Sequence, residues 1–149
     1  MSDTPDKLAD EMAIRDLVAR YADAVNRRDA DAWVALWARD CEWHILGNPM
    51  TGRDDVLALW RSLMEGFSFV IQVIYSGTIE LDGDEATGCW YLCEIWKGPD
   101  GSAGMTVGVY RDRYVREEDM WRFRRRRFDI LYMGPPDLSA DTQPFPTEP

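Results

Sequence analysis

Apolar and polar positions along this chain change period once, near Gly66, dividing it into a helical part and a strand part. In the first part Ile14, Leu17, Val18, Tyr21, Ala22 and Val25 recur at three-and-four spacing, the apolar stripe of one long helix. Asp29 has the type and position of an N-cap for a second, short helix whose inward stripe is Trp33, Leu36 and Trp37. "CEWHIL" (41–46) reads as a short strand, and a Gly-Asn-Pro turn follows it. Asp54 or Asp55 starts a third helix carrying Leu57, Trp60 and Met64 on one face, with Gly66 as its stop.

Beyond Gly66 the period is that of strands. Phe67 to Leu81 and Ala86 to Lys97 are joined by "DGD", a strong hairpin signal. A second hairpin turns at "GPDGSAG", and a third at "REEDM", between "MTVGVYRDRYV" and "WRFRRRRFDILY". Helices followed by long antiparallel strands define an α+β fold. Three N-terminal helices pack on one face of a curved antiparallel or mixed sheet, making a cone with an apolar pocket at its open end. Residues 1–133 form one domain, and the Pro-rich tail "GPPDLSADTQPFPTEP" (134–149) carries little regular structure.

Composition narrows the functional classes. A chain of 149 residues, 46% hydrophobic with seven Trp, has ample material for a core and is not intrinsically disordered. No apolar run approaches the ~20 residues of a membrane span, and the acidic start "MSDTPDKLADE" is no signal peptide, so a cytoplasmic location is expected. Three cysteines (Cys41, Cys89, Cys93) lack zinc-site spacing and read as buried thiols. A single histidine and unclustered carboxylates make no metal ligand set, and no cofactor is expected. The net charge of −10 argues against nucleic acid or anionic membrane as partner. "WRFRRRRFD" does not change this: strand alternation sends Arg122, Arg124 and Arg126 to one face and Phe123, Arg125 and Arg127 to the other.

The order "AIRDLVARYADAVNRRDADAWVALWARDCEWHILG…TG", "YSGTIELDGDEATGCWYLCE", "GVYRDRYVREEDMWRFRRRR" resembles the SnoaL-like branch of the nuclear-transport-factor-like superfamily, over roughly residues 8–133. The resemblance implies the cystatin-like α+β cone and a hydrophobic small-molecule pocket. It also implies a homodimer or homotrimer joined through the outer sheet face. The superfamily hosts dehydratases, dehydrohalogenases, isomerases and polyketide cyclases, and also non-enzymatic modules. In the dehydratase and dehydrochlorinase group the pattern pairs an aspartate ending the first helix with a histidine on a facing strand. Those positions fall here on Asn26 and on or beside Ile74, so both halves of that dyad are replaced.

Other residues are therefore the candidates for chemistry. Tyr21, five positions before Asn26, offers a phenol to a substrate oxygen, or else simply packs. Glu94, in "CWYLCEIW", is the candidate base; the "DGD" turn brings Gln72 or its neighbour opposite it. Its alternative is an ion pair with Arg125. The resemblance places Arg125 inward, stabilising charge on a leaving group, with Asp129 as an internal partner otherwise. His44 points outward by alternation, because the resemblance puts Trp43 inside. Trp43, Leu57, Trp60, Met64, Phe67, Tyr91 and Tyr110 complete the expected lining. At Ser76-Gly77 polar and apolar phases swap, which predicts a bulge: Gln72 and Ile74 are inward before it, Ile79 and Leu81 after it, and Tyr75 comes near the replaced histidine position. The resulting expectation is a cofactor-independent lyase, isomerase or cyclase for a hydrophobic cyclic substrate. The alternative is a non-catalytic binding or assembly module, as the resembling small subunits of ring-hydroxylating dioxygenases are.

Overall fold

The computed structural model describes residues 4–147. Helix α1 (Thr4–Arg27) buries the predicted stripe, with Ile14 and Val18 almost wholly inaccessible. Asp29 caps α2 (Ala30–Val34) by accepting from the Ala32 backbone N–H at 2.9 Å. This second helix is only five residues long, so Leu36 lies beyond it and Trp37 already begins strand β1 (Trp37–Ile45). The stripe expected on one helix is thus shared between a helix and a strand. Leu46 and Gly47 both take positive φ in the turn that follows, the geometry of a tight hairpin. Asn48 and Pro49, read from the sequence as turn residues, belong to edge strand β2 (Asn48–Thr51) instead.

Helix α3 (Arg53–Glu65) starts one residue earlier than Asp54. Its N-cap is Gly52 without a side-chain bond, while Asp54 and Asp55 sit in the first turn, favourably placed against the helix dipole. Gly66 ends it as expected.

Four long strands complete the fold: β3 (Phe69–Asp82), β4 (Glu85–Lys97), β5 (Ala103–Glu117) and β6 (Met120–Gly134). The sheet runs β2-β1-β6-β5-β4-β3, with β1 and β6 parallel and every other pair antiparallel. It is curved but not closed, because β2 and β3 remain as edges. Bulges supply the curvature. One lies between Ile74 and Gly77 of β3, where the phase change in the sequence put it. Gly77 is required there, since a Cβ would run into the Trp90 ring.

The concave face holds an aromatic core in which Trp33 stacks on Trp60 (4.9 Å between centroids, 18° between planes) and also meets Trp37 and Trp43. After β6 the tail folds back over the convex face: Gln143 N–H donates to the Leu131 carbonyl at 2.7 Å, and Phe145 lies against Tyr91. Apart from a single bridge between Thr142 and Tyr132, its described residues form no regular structure. Among the described residues no helix is long and apolar enough to cross a membrane.

Candidate active site

Between α1, α3 and the concave sheet face lies a cavity of about 110 Å³. Its walls are almost entirely apolar: Val25 from α1, Trp60 and Met64 from α3, Trp43 from β1, and Phe128 and Ile130 from β6. Leu46 and Met133, both largely exposed, mark its mouth. Besides the Trp43 and Trp60 indoles, five side chains bring polar atoms to this lining: Tyr21, Gln72, Glu94, Thr106 and Tyr110. Glu94 is the one carboxylate among them.

The β3–β4 register explains how Glu94 is held. Gln72 and Glu94 are direct cross-strand partners, as the "DGD" turn predicted. Gln72 Nε2 donates to Glu94 Oε1 at 2.8 Å and to the Tyr110 hydroxyl at 2.9 Å. Burial drives the Glu94 carboxyl above the ordinary glutamate value, and the Gln72 hydrogen bond only partly opposes this. The Gln72 Oε1 atom and the Trp43 indole N–H are buried without partners in the described structure.

Asn26 fixes this arrangement from outside the cavity. Its Oδ1 accepts from the Gln72 backbone N–H at 2.7 Å and its Nδ2 donates to the Gln72 carbonyl at 3.0 Å. Both amide atoms are thereby occupied by the backbone of β3, a use that needs a donor and an acceptor on one side chain.

Below the cavity floor lies a second polar system that the alternation argument missed. Arg126, not Arg125, is the inward arginine of β6, and it is fully buried. The cause is a bulge: Arg113 pairs with Arg125 but Tyr114 pairs with Phe123, so Arg124 is an extra residue and the phase flips after it. Arg126 meets Asp112 through two parallel bonds of 2.8 and 2.7 Å. Its guanidinium also lies 3.7 Å from the Tyr110 ring centroid and 4.3 Å from that of Tyr21. Asp112 accepts a further bond from the Tyr114 hydroxyl, which in turn accepts from the Trp90 indole. Burial works against the Arg126 charge, but Asp112 overcomes it and raises the pKa. Burial pushes the Tyr21 phenol up to about 12, a rise that the Arg126 charge restrains; Tyr110 is raised well above its usual range by burial and by Tyr21. The phenols are therefore firm proton holders and hydrogen-bond donors. Asp112 was legible in "YRDRY": a carboxylate between two inward tyrosines needs a buried cation on a neighbouring strand.

The remaining candidates divide plainly. Trp43, Trp60, Met64 and Phe67 line the cavity. Leu57 and Ile74 pack against the core without reaching it. Tyr75 and Tyr91 project outward, 62% and 40% exposed, because ordinary strand alternation sets each on the face opposite its neighbour, Ile74 or Leu92. Arg125 lies on the convex face, and so does Asp129, which pairs with Arg127 at 3.0 Å. His44 also faces outward, its Nε2 3.1 Å from Glu42 Oε2. No group of three His, Cys, Asp or Glu among the described residues is arranged to hold a metal ion.

The family model of the SnoaL-like domain matches residues 6–127. The chain belongs to that family. Among its relatives, the gamma-hexachlorocyclohexane dehydrochlorinase of Sphingobium indicum is 27% identical over 141 residues, spanning 91% of this SnoaL-like chain and 88% of that protein. A hexachlorocyclohexane dehydrochlorinase structure from Novosphingobium barchaimii superposes with a TM-score of 0.83 at 22% identity, over 97% and 100% of the two chains. A nuclear-transport-factor-2-like protein with a cystatin-like fold from Novosphingobium aromaticivorans gives 0.73 at 28% identity, over 85% and 84%.

Proposed function

We propose that this SnoaL-like protein is a cofactor-independent lyase or isomerase acting on a hydrophobic cyclic substrate, with Glu94 as its acid–base group. One observation carries the reading: a single carboxylate, its proton held more tightly by burial, lines a cavity whose walls are mostly apolar. Membership of a family that includes dehydrochlorinases supports a lyase or isomerase type. The dyad that the resemblance implies is replaced by Asn26 and Ile74, so proton transfer moves to the neighbouring strand.

The reaction follows from the lining. A ring against Trp60 and Phe128 presents a carbon-bound proton to Glu94. As Glu94 takes that proton, electron density moves toward a substrate oxygen or halogen. The Tyr21 and Tyr110 phenols, backed by Arg126, donate hydrogen bonds to the developing charge. In an elimination the leaving group departs with the bonding pair; in an isomerisation Glu94 returns its proton to another ring carbon. An apolar cavity of about 150 Å³ admits a benzene ring; the present cavity of about 110 Å³ is smaller, so even one ring requires the mouth between Leu46 and Met133 to open.

A second reading, a binding module without turnover, is favoured by Asn26, whose polar atoms are both occupied by the backbone. Incubation with gamma-hexachlorocyclohexane and with 3-cyclohexenone, with products identified by gas chromatography–mass spectrometry, separates the two. Turnover that Glu94→Gln abolishes in a folded variant supports the enzyme. Rate retained by that variant removes Glu94 from the mechanism, and thermal stabilisation by rings without any product favours the module. Self-association through exposed Val73, Tyr75 and Ile95 of the convex face belongs to the same proposal, and a light-scattering mass of one chain would refute it.

A further inference from the structure

The convex face of β5 and β6 carries a square of four arginines. Arg113 stands directly opposite Arg125, and Arg111 opposite Arg127. Adjacent strands extend both rows: Thr87 and Glu42 flank the first, Cys89 and His44 the second. Like charges set directly across a strand pair repel one another. The pattern is therefore unfavourable in itself, in a chain whose net charge is −10.

Among the described residues the counter-charges reach two of the four arginines unevenly. Arg127 pairs with Asp129, and Arg111 donates to the Pro146 carbonyl of the tail at 3.0 Å. No described carboxylate comes within ion-pair distance of Arg113 or Arg125. Asp112 is turned to the other face, on Arg126. Glu42 attracts Arg125 from a distance but also meets His44. Burial, reinforced by Arg113 and Arg127, lowers the Arg125 pKa. The Nε atoms of Arg111 and Arg125 are buried and have no hydrogen-bond partner.

Above these side chains is a hollow of about 320 Å³, lined also by Thr78, Thr87 and Cys89, with Glu80 as its one outward carboxylate. Its walls mix polar and apolar surface, unlike the almost wholly apolar walls of the cavity across the sheet. We propose that this hollow is a second ligand site, in which Arg111, Arg113 and Arg125 bind a tetrahedral oxyanion: inorganic phosphate, sulfate, or the same group on a small metabolite. Guanidinium forks match such oxygens bidentately, and the two threonine hydroxyls supply further donors. A bound dianion would relieve the repulsion within the square. The site is independent of Glu94 and of any turnover.

The test is thermal shift and calorimetry on the full chain, titrated with sodium phosphate or sodium sulfate against sodium acetate and sodium chloride at matched ionic strength. Phosphate and sulfate should stabilise saturably, while chloride and acetate should not. Arg113→Gln and Arg125→Gln should each weaken that binding about tenfold or more, as loss of a charge-assisted bond does. Arg124→Gln, which removes an exposed arginine paired with Asp40, should leave it intact. A phosphate response no larger than that of chloride overturns the site, as does equal loss in Arg124→Gln. So does a square that proves to be covered by a second chain, seen as a mass that falls to one chain on Arg113→Gln without any anion response. A phosphate response that a phosphorylated sugar exceeds would support a metabolite-borne group.

Discussion

The two faces of the β5–β6 pair use the same residue type in opposite ways. On the concave side one arginine, Arg126, has two bonds to Asp112 and three aromatic rings around it. On the convex side Arg113 and Arg125 face each other with solvent nearby and no described carboxylate at ion-pair distance. The inward charge is paired because burying it unpaired costs several kcal/mol, although one of its terminal nitrogens has no hydrogen-bond partner; the outward charges are only partly buried, so water and salt relieve some of their repulsion. The extra residue Arg124 decides which arginine receives which treatment.

The sharpest way to break this contrast is to remove one arginine from each face. Arg126→Gln leaves Asp112 buried without its cation and should cost about 3–5 kcal/mol, or prevent folding. Arg125→Gln should shift stability by no more than about 0.5 kcal/mol, and upward at low ionic strength. Urea denaturation of both variants measures the difference. Equal losses would mean that the convex arginines also hold the fold.

Next in size is the effect on catalysis. Glu94→Gln should lower any turnover by about 10²–10⁴-fold, the range that positioned acid–base groups supply. The companion change, Arg125→Gln, should leave the rate within about twofold, since Arg125 touches nothing in the cavity. Steady-state kinetics on the same substrate decides whether the outward arginine serves the site.

Asn26→Asp gives a smaller effect. The carboxylate would still accept from the Gln72 N–H but would repel the Gln72 carbonyl that Asn26 Nδ2 now serves. A loss of about 1–3 kcal/mol is expected, seen in thermal or urea unfolding, together with weaker ring binding as Gln72 loosens.

How much of this could be read from the sequence depended on whether the signal was local. The α1 stripe, the Asp29 cap, the hairpins and the Gln72–Glu94 pairing rest on short-range periodicity and turn chemistry, and the structure shows each. The β3 bulge was visible because apolar residues changed phase around Ser76-Gly77. The β6 bulge was not, because "RFRRRRF" offers an arginine at every position where the phase would reveal itself. Arg125 was expected inside for the reason that the resemblance places it there, with no phase signal in the strand to oppose it. Tyr91 and Tyr75 were expected in the lining for a related one: aromatic residues fit either face of a strand when the tail or neighbouring side chains partly cover the outer one. Nor does any local pattern announce that Asn26 clamps a backbone 46 residues away.

The pH dependence offers a finer probe. Because burial raises the folded-state pKa of Glu94, the folded chain binds this proton more tightly than the unfolded chain does. That contribution is fully present below the unfolded value of 4.5 and is lost as pH rises through the folded value. Stability of the wild type minus that of Glu94→Gln should therefore fall with rising pH above 4.5.

The most direct measurement is the titration of Glu94 itself, followed by the carboxyl carbon chemical shift in ¹³C-glutamate-labelled protein and assigned with Glu94→Gln. A midpoint above 4.5, rising further when an apolar ring fills the cavity, is the expected result. A midpoint at or below 4.5, unchanged by any ring, would mean that water reaches the carboxylate freely and that the chamber does not prepare it for proton transfer.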